Sequence, residues 1–244
     1  PGQRIRAVPG EGQQVDVWML GSSTYGAQLA AMLGLPYAFA SHFAPAEMEH
    51  AIDIYRSRFQ ATEAMPKPHL MLGLNVVAAE TDAEARYLFS SLQQAFVNLR
   101  TGRPGRLPAP VEGFEATLEP HAKIMLEQAL SCAIVGSPQR VQSELDAFVR
   151  RTGADELMVT AQVFDHDARK RSFEILMQAQ QALAAVAVGM LDAQRQQLAG
   201  LQGAVGPGQV EALVAPQVQR VDVFTVDELQ RQHPHADQVG AVDA

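Results

Sequence analysis

An α/β architecture on a parallel sheet is expected from three features of the chain. Short apolar runs recur at about residues 15–20, 36–41, 69–79 and 156–163. They are apolar with little alternation, as strands buried on both faces are, and stretches of helical spacing separate them. Glycine, proline and capping residues fall at the joins. Four strand–helix units then fill residues 15–176, whereas a complete barrel has eight in roughly 250 residues. The arithmetic leaves half a barrel or a small open sheet.

The first strand is Val15-Asp16-Val17-Trp18-Met19-Leu20, ending in Gly21-Ser22-Ser23. A helix follows with Leu29, Met32 and Leu33 on one face, and Gly34 stops it. Pro36 to Ser41 is the second strand. The next helix runs from about Pro45 to Phe59, with Met48, Ile52 and Tyr55 at helical spacing. Pro66-Lys67-Pro68 is a linker, since neither proline can extend a helix. His69 to Ala79 is the third strand. Thr81-Asp82-Ala83-Glu84 matches a capping box and opens a long helix to about Arg100. Residues 101–110 form a Gly/Pro loop, and Leu118 to Leu130 reads as helix. Ser137-Pro138 starts a further helix that Gly153 ends, with Ser at the cap and Pro in the first turn. Glu156 to Val163 is the fourth strand, and a last helix begins after Asp165.

Composition narrows the function. The 244 residues are 47% hydrophobic and 19% charged, which suits a globular chain with a sizeable core. A net charge of −8 argues against nucleic acid or an anionic membrane as the main partner, because both demand a basic surface. No run of about 18 uncharged apolar residues is present, so no membrane span is expected. The single cysteine, Cys132, cannot form an internal disulfide and sits in an apolar run, where it reads as a packed, inert thiol. A reducing cytoplasm is compatible with this, and a cytoplasmic location is expected. The opening Pro1-Gly2-Gln3-Arg4, with no initiator Met and no signal peptide, reads as a cut.

Two segments can carry chemistry. Gly21-Ser22-Ser23-Thr24-Tyr25-Gly26 joins a strand's C-terminal end to a helix N-terminus. Free N–H groups, the helix dipole and serine hydroxyls there favour an anion; a plain serine N-cap is the alternative. Ser41-His42-Phe43 ends the second strand, on the face where barrel enzymes build active sites. His42 is either part of a ligand pocket or a rim histidine. Asn75, inside the third strand, either points at a ligand or satisfies neighbouring backbone. Asp165 reads as a helix cap rather than a catalytic acid. No metal-ligand spacing, nucleophile elbow or Gly-x-Gly-x-x-Gly fingerprint is present, and His233 and His235 flank Pro234 in a polar tail.

Across about residues 1–176 the chain resembles the bacterial luciferase-like, flavin-dependent monooxygenases. The resemblance rests on Trp18 to Ser23, Ala27 to Ala30 and Gly34 to Phe43, with Gly136-Ser137-Pro138 and Thr152 to Val159 further on. It implies a partial TIM barrel, strands five to eight of eight, with residues 1–14 matching the loop before strand five. It also implies FMN as cofactor, its reduced form bound or supplied by a flavin reductase, acting with O2 on a small organic substrate. By resemblance, Gly21, Ser22, Ser23, Tyr25 and Gly26 hold the FMN phosphate, and Ser41, His42 and Phe43 line the ring or substrate pocket. The segment that carries the family's catalytic histidine has no counterpart here. A half-barrel with unpaired edges would form homo-oligomers. The alternative is a non-catalytic remnant that binds flavin weakly or only associates. Beyond about residue 177 the resemblance stops. Residues 178–200 read as an Ala/Gln-rich helix, and the stretch from Gly200 to Ala244 shows no sustained period and is expected to be poorly ordered.

Overall fold

The computed structural model describes the backbone of residues 15–201 and 222–225, and the side chains of 15–183. Residues 1–14 and the remainder of the tail, with His233 and His235, lie outside the described residues. One sheet organises the rest. Its strands are β1 (Met19–Gly21), β2 (Tyr37–Phe39), β3 (Leu70–Ala78), β4 (Ala133–Gly136), β5 (Glu156–Thr160) and β6 (Asp222–Thr225). The order is β1-β2-β3-β5-β6, with β4 paired to β3, and every pairing is parallel.

Parallel strands need crossovers, and helices supply them. Between β1 and β2 runs α1 (Thr24–Leu33); α2 (Met48–Arg58), entered through a 3₁₀ turn at Pro45–Glu47, precedes β3. Then α3 (Asp82–Arg100) and α4 (Pro120–Ala129) separate β3 from β4, α5 (Pro138–Thr152) joins β4 to β5, and α6 (His166–Leu201) follows. Strand β3 is the spine. It pairs with β2 through Leu70–Leu72, with β5 through Met71–Asn75 and with β4 through Asn75–Ala78.

Alternation sorts the sheet into two faces. Tyr37, Phe39, Leu70, Leu72, Leu74, Val76, Leu157 and Val159 pack with Ala27, Ile52, Tyr55, Leu145, Ile175 and Leu176 of the helices in the main core. Leu20, Ala38, Met71, Gly73, Asn75, Met158 and Thr160 fall on the other face. At the C-terminal end of β3, Val77 and Ala79 join a second cluster with Leu88, Phe89 and Leu92 of α3 and Leu126 of α4. Helices therefore do not stay on one side of the sheet throughout.

Several expectations are corrected. A strand at Ala133–Gly136 was not foreseen: the apolar run around Cys132 is only four strand residues long, and periodicity cannot separate so short a run from a helix end. The strands expected at 15–20, 36–41 and 156–163 are shorter than their apolar runs, β1 being only Met19–Gly21. Helix α1 buries Gly26, Ala27, Ala30 and Ala31, and leaves Met32 and Leu33 exposed. Its small face lets it sit close to α2 and the sheet, so large residues turn outward. Ser137 does not cap α5 with its side chain; its N–H instead donates to Asp82 Oδ1 at the start of α3, 2.7 Å away. The capping box at Thr81 is half made, with Thr81 Oγ1 accepting from Glu84 N. Asp165 caps α6 as expected, accepting from Ala168 N at 2.8 Å. Within the stretch where no period was legible, residues 222–225 form a strand on β5.

Polar staples close the N-terminal rim of the sheet. His69 Nε2 meets Glu156 Oε1 at 2.6 Å, and Leu70 N donates to Asp155 Oδ2 at 2.8 Å. Arg56 donates to the carbonyls of Thr152 and Gly153, tying α2 to the end of α5. Gly153 adopts φ 61°, a left-handed turn that a side chain would strain.

Candidate functional site

The opposite, C-terminal rim carries both segments singled out above. The chain leaves β1 at Gly21 and turns into α1 within two residues. The turn packs closely: a Cβ built on Gly21 would lie 3.5 Å from Gly26 Cα, and one on Gly26 would lie 3.4 Å from the Tyr37 ring, both ordinary contact distances. The junction thus folds back on itself directly over Tyr37. Ser23 is the N-cap residue of α1, extended at φ −144° and ψ 166°, yet its hydroxyl makes no capping bond. The first turn of α1 holds no acidic residue, as in α4 and α5 and unlike α2, α3 and α6. Helix N–H groups, a positive dipole end and uncommitted hydroxyls of Ser22, Ser23 and Thr24 therefore share one rim, with no local carboxylate to occupy it. That combination suits a phosphate. Tyr25 is 72% exposed.

Tyr37 supports this junction from beneath and was absent from the sequence-derived site. It is fully buried, and its hydroxyl donates to the Ser23 carbonyl at 3.2 Å. Burial pushes its phenol up to about 12, so it stays a donor at neutral pH. Ala40 N donates to the Gly21 carbonyl at 2.9 Å, which ties the junction to the end of β2.

One strand over, the chain after β2 folds onto β3. Ser41 is fully buried and its hydroxyl donates to Gly73 O at 2.6 Å, so it builds the wall and offers no free hydroxyl. His42 N donates to the same carbonyl at 2.9 Å. Asn75, 3% exposed, donates to His42 O at 3.4 Å and accepts from Thr160 Oγ1 at 2.8 Å. Of the two roles open to Asn75, the structure shows it satisfying neighbours. The His42 ring lies over Gly73, its Nδ1 enclosed and without a partner. Burial lowers its pKa below the usual histidine value, an effect that the Gly73 backbone beside the ring partly offsets. Phe43, at 67% exposed, forms no enclosed wall by itself.

The structure therefore brings Gly21, Ser22, Ser23, Gly26, Ser41 and His42 to one rim, and adds Tyr37, Gly73, Asn75 and Thr160. Gly73 was detectable: a lone glycine in an apolar strand marks a close approach. Among the described residues no His/Cys/Asp/Glu group could hold a metal, and no helix is long and apolar enough to cross a membrane. Cys132 is buried, and desolvation raises its pKa, as suits an inert thiol.

Comparison with known proteins gives this geometry a context. A sequence model described as luciferase-like monooxygenase matches residues 1–156. The chain is 46% identical over 183 residues to a protein of that name from Escherichia coli (strain K12), covering 75% of this chain and 55% of the relative. It is 43% identical over 173 residues to the uncharacterized protein YvbT of Bacillus subtilis (strain 168), covering 71% and 52%. The chain thus spans about half the length of the curated relatives it matches. Among solved structures, apo-MsnO8 is similar with a TM-score of 0.60 and 29% identity, over 73% of this chain and 54% of that one.

Proposed function

The chain belongs to the luciferase-like monooxygenase family, and we propose that it is the FMN-phosphate-binding half of a flavin-dependent monooxygenase that acts in the cytoplasm on a small organic substrate. The observation that carries this reading is the Gly21–Gly26 junction, where a helix N-terminus and unspent serine hydroxyls meet without a carboxylate. Ser22 and Ser23 would donate through their hydroxyls, and the N–H groups of Tyr25 and Gly26 would add to them. His42 and Phe43 would face the ring or substrate, on a wall held by Ser41. When bound, reduced FMN supplies the redox chemistry with O2. The residues themselves bind, orient and exclude water, which accords with so few titratable groups at this rim.

In this reading β1, β2, β3 and β5 correspond to strands five to eight of an eight-stranded barrel. The face carrying Leu20, Met71, Gly73, Asn75 and Thr160 is its interior. Support comes from the length ratio to the relatives and from the parallel order of these four strands. A reductase, or a resident pool, supplies reduced FMN.

A second reading has its own observation. Strand β6 pairs with the outer edge of β5, where a closing barrel strand would otherwise lie. That favours a non-catalytic half-barrel which binds flavin weakly or associates with a second copy. Upstream coding sequence separates the two: four further strand–helix units in frame support the enzyme.

Fluorescence titration tests the phosphate assignment. A charge-assisted hydrogen bond contributes roughly 1.5–3 kcal/mol, so Ser23→Ala should weaken FMN binding by about one to two decades. Riboflavin, lacking the phosphate, should bind both versions equally. An unchanged FMN affinity, or an equal loss for riboflavin, would remove the assignment.

A further inference from the structure

We propose that a cleft on the outer side of α3 is a binding site for a small zwitterion, an α-amino acid with an apolar side chain. The proposal does not rest on the flavin reading, and neither the Gly21–Gly26 junction nor His42 lines the cleft.

After α3 the chain returns along that helix as a strap, residues 109–117. Three polar clasps hold it there. Gln94 Nε2 donates to Ala109 O at 2.9 Å, Val111 N to Ser90 Oγ at 2.8 Å, and Gln93 Nε2 to Glu115 Oε1 at 2.5 Å. Ala85, Leu88, Phe89 and Leu92 turn to the core from another side of the helix. Between α3, the strap and α4 lies a cavity of about 390 Å³, a size that small-molecule sites have.

Four charged side chains line this cavity, two of each sign. Arg86 comes from α3, Lys123 from α4, and Glu112 and Glu115 from the strap. No ion pair joins either cation to either carboxylate. Arg86, Lys123 and Glu112 make no hydrogen bond among the described residues, and Glu115 is met only by Gln93. Gln93 itself is 5% exposed. A carboxylate can only accept, so the amide must turn Nε2 toward Glu115, and Oε1 is the end left without a partner. That atom is not among the enclosed unpartnered ones, and the side chain that carries it lines the cavity, so Oε1 opens there.

These groups define the ligand. An anion alone would meet the unpaired Glu112, and a cation alone would meet Arg86 and Lys123. A zwitterion answers both signs at once. Its carboxylate is taken by Arg86 and Lys123 in charge-assisted bonds. Its ammonium has three protons to place, and Glu112, the second oxygen of Glu115 and Gln93 Oε1 are the acceptors. Val111 and Phe114, also in the lining, supply an apolar surface for the side chain.

Titration of the 15N-labelled full chain with L-phenylalanine tests this. The side-chain signals of Arg86 and Gln93, assigned from the Arg86→Gln and Gln93→Met chains, are the readout, and saturable movement of both is expected. N-acetyl-L-phenylalanine lacks the ammonium and L-phenylalaninamide lacks the carboxylate. Each should bind about tenfold more weakly than the amino acid. Arg86, Lys123 and Glu112 are exposed, so their substitution leaves the core intact. Lys123→Gln should erase the preference over the amide, and Glu112→Gln the preference over the acetyl compound. No saturable movement with L-phenylalanine, L-leucine or glycine overturns the proposal. So does an acetyl compound that binds as tightly as the amino acid, which would make the cavity an anion site, or an amide that does so, which would make it a cation site. Unchanged selectivity in both charge variants would place the binding elsewhere and likewise overturn it.

Discussion

Replacing Tyr37 by Phe removes one oxygen atom from a fully buried ring and leaves its packing on Phe39 and Tyr55 intact, at centroid distances of 6.2 and 5.2 Å. At neutral pH the variant loses the hydrogen bond to the Ser23 carbonyl, which contributes about 0.5–1.5 kcal/mol. At alkaline pH the sign reverses. In the unfolded chain the Tyr37 phenol ionises near 10, whereas in the folded protein burial pushes it up to about 12. The unfolded state releases its proton first. The contribution is therefore fully present below pH 10 and is lost as pH rises toward 12. Two pH units correspond to roughly 2–3 kcal/mol of lost stability by pH 12. Phenylalanine has no proton to lose. Urea denaturation between pH 7 and 11.5 should show Tyr37→Phe less stable at first, then crossing the wild type at about pH 11. Tyr55 and Cys132 are also raised by burial, but both chains carry them and their contributions cancel. Parallel stability curves for the two chains across pH 10–11.5 would refute the reasoning.

Leu74→Ala empties a fully buried position in the middle of β3 and should cost about 2–5 kcal/mol, measured by the same denaturation. Asp82→Asn should lower the thermal midpoint and flatten the acid limb: hydrogen bonds from Ser137 hold this carboxyl below its usual value, so its contribution is present at neutral pH and is lost as pH falls through the folded value. Cys132 should react with an aromatic disulfide reagent only as fast as the chain opens; rapid labelling of the folded protein would contradict its burial. Light scattering should show self-association that rises with concentration, because Val15, Val17 and Leu20 are exposed at or beside the β1 edge, which is unpaired among the described residues; a monodisperse monomer at high concentration would count against it.

Much of this was legible in the chain. Glycine at 34 and 153 stops α1 and α5 in left-handed turns, and proline or threonine opens α5 and α3, because local backbone chemistry decides those joins. The parallel order followed from apolar strands alternating with helices. Long-range matters escaped. Strand β4 pairs the C-terminal part of β3, where Val76–Ala78 extend past the reach of β2 and β5. Nothing local at 133–136 announces that. The outward turn of Met32 and Leu33 depends on how closely α1 approaches its neighbours, and the cap of α5 comes from Asp82, fifty-five positions away in sequence. Tyr37 reads as one aromatic among others until its hydroxyl is seen beneath Ser23.

The two faces of the sheet explain why the site lies where it does. On the helix-facing side of β3, Leu70, Leu72, Leu74, Val76 and Ala78 pack without a polar atom among their side chains, which suits a surface whose only task is burial. The alternate residues Met71, Gly73 and Asn75 obey a different logic. A glycine there gives up packing, and an amide there must be satisfied; both cost stability if the face is merely core. Gly73 is needed because the His42 ring occupies the space of its side chain, and Asn75 because His42 must be held from below. The same rim holds an N-cap serine whose hydroxyl does not cap. Each of these three positions departs from what folding alone favours: Gly73 and Asn75 lie within β3, on the face turned from the main core, and Ser23 follows β1, two strands over. Local departures of this kind are what a ligand-binding rim would require, and the Ser23→Ala titration tests that reading.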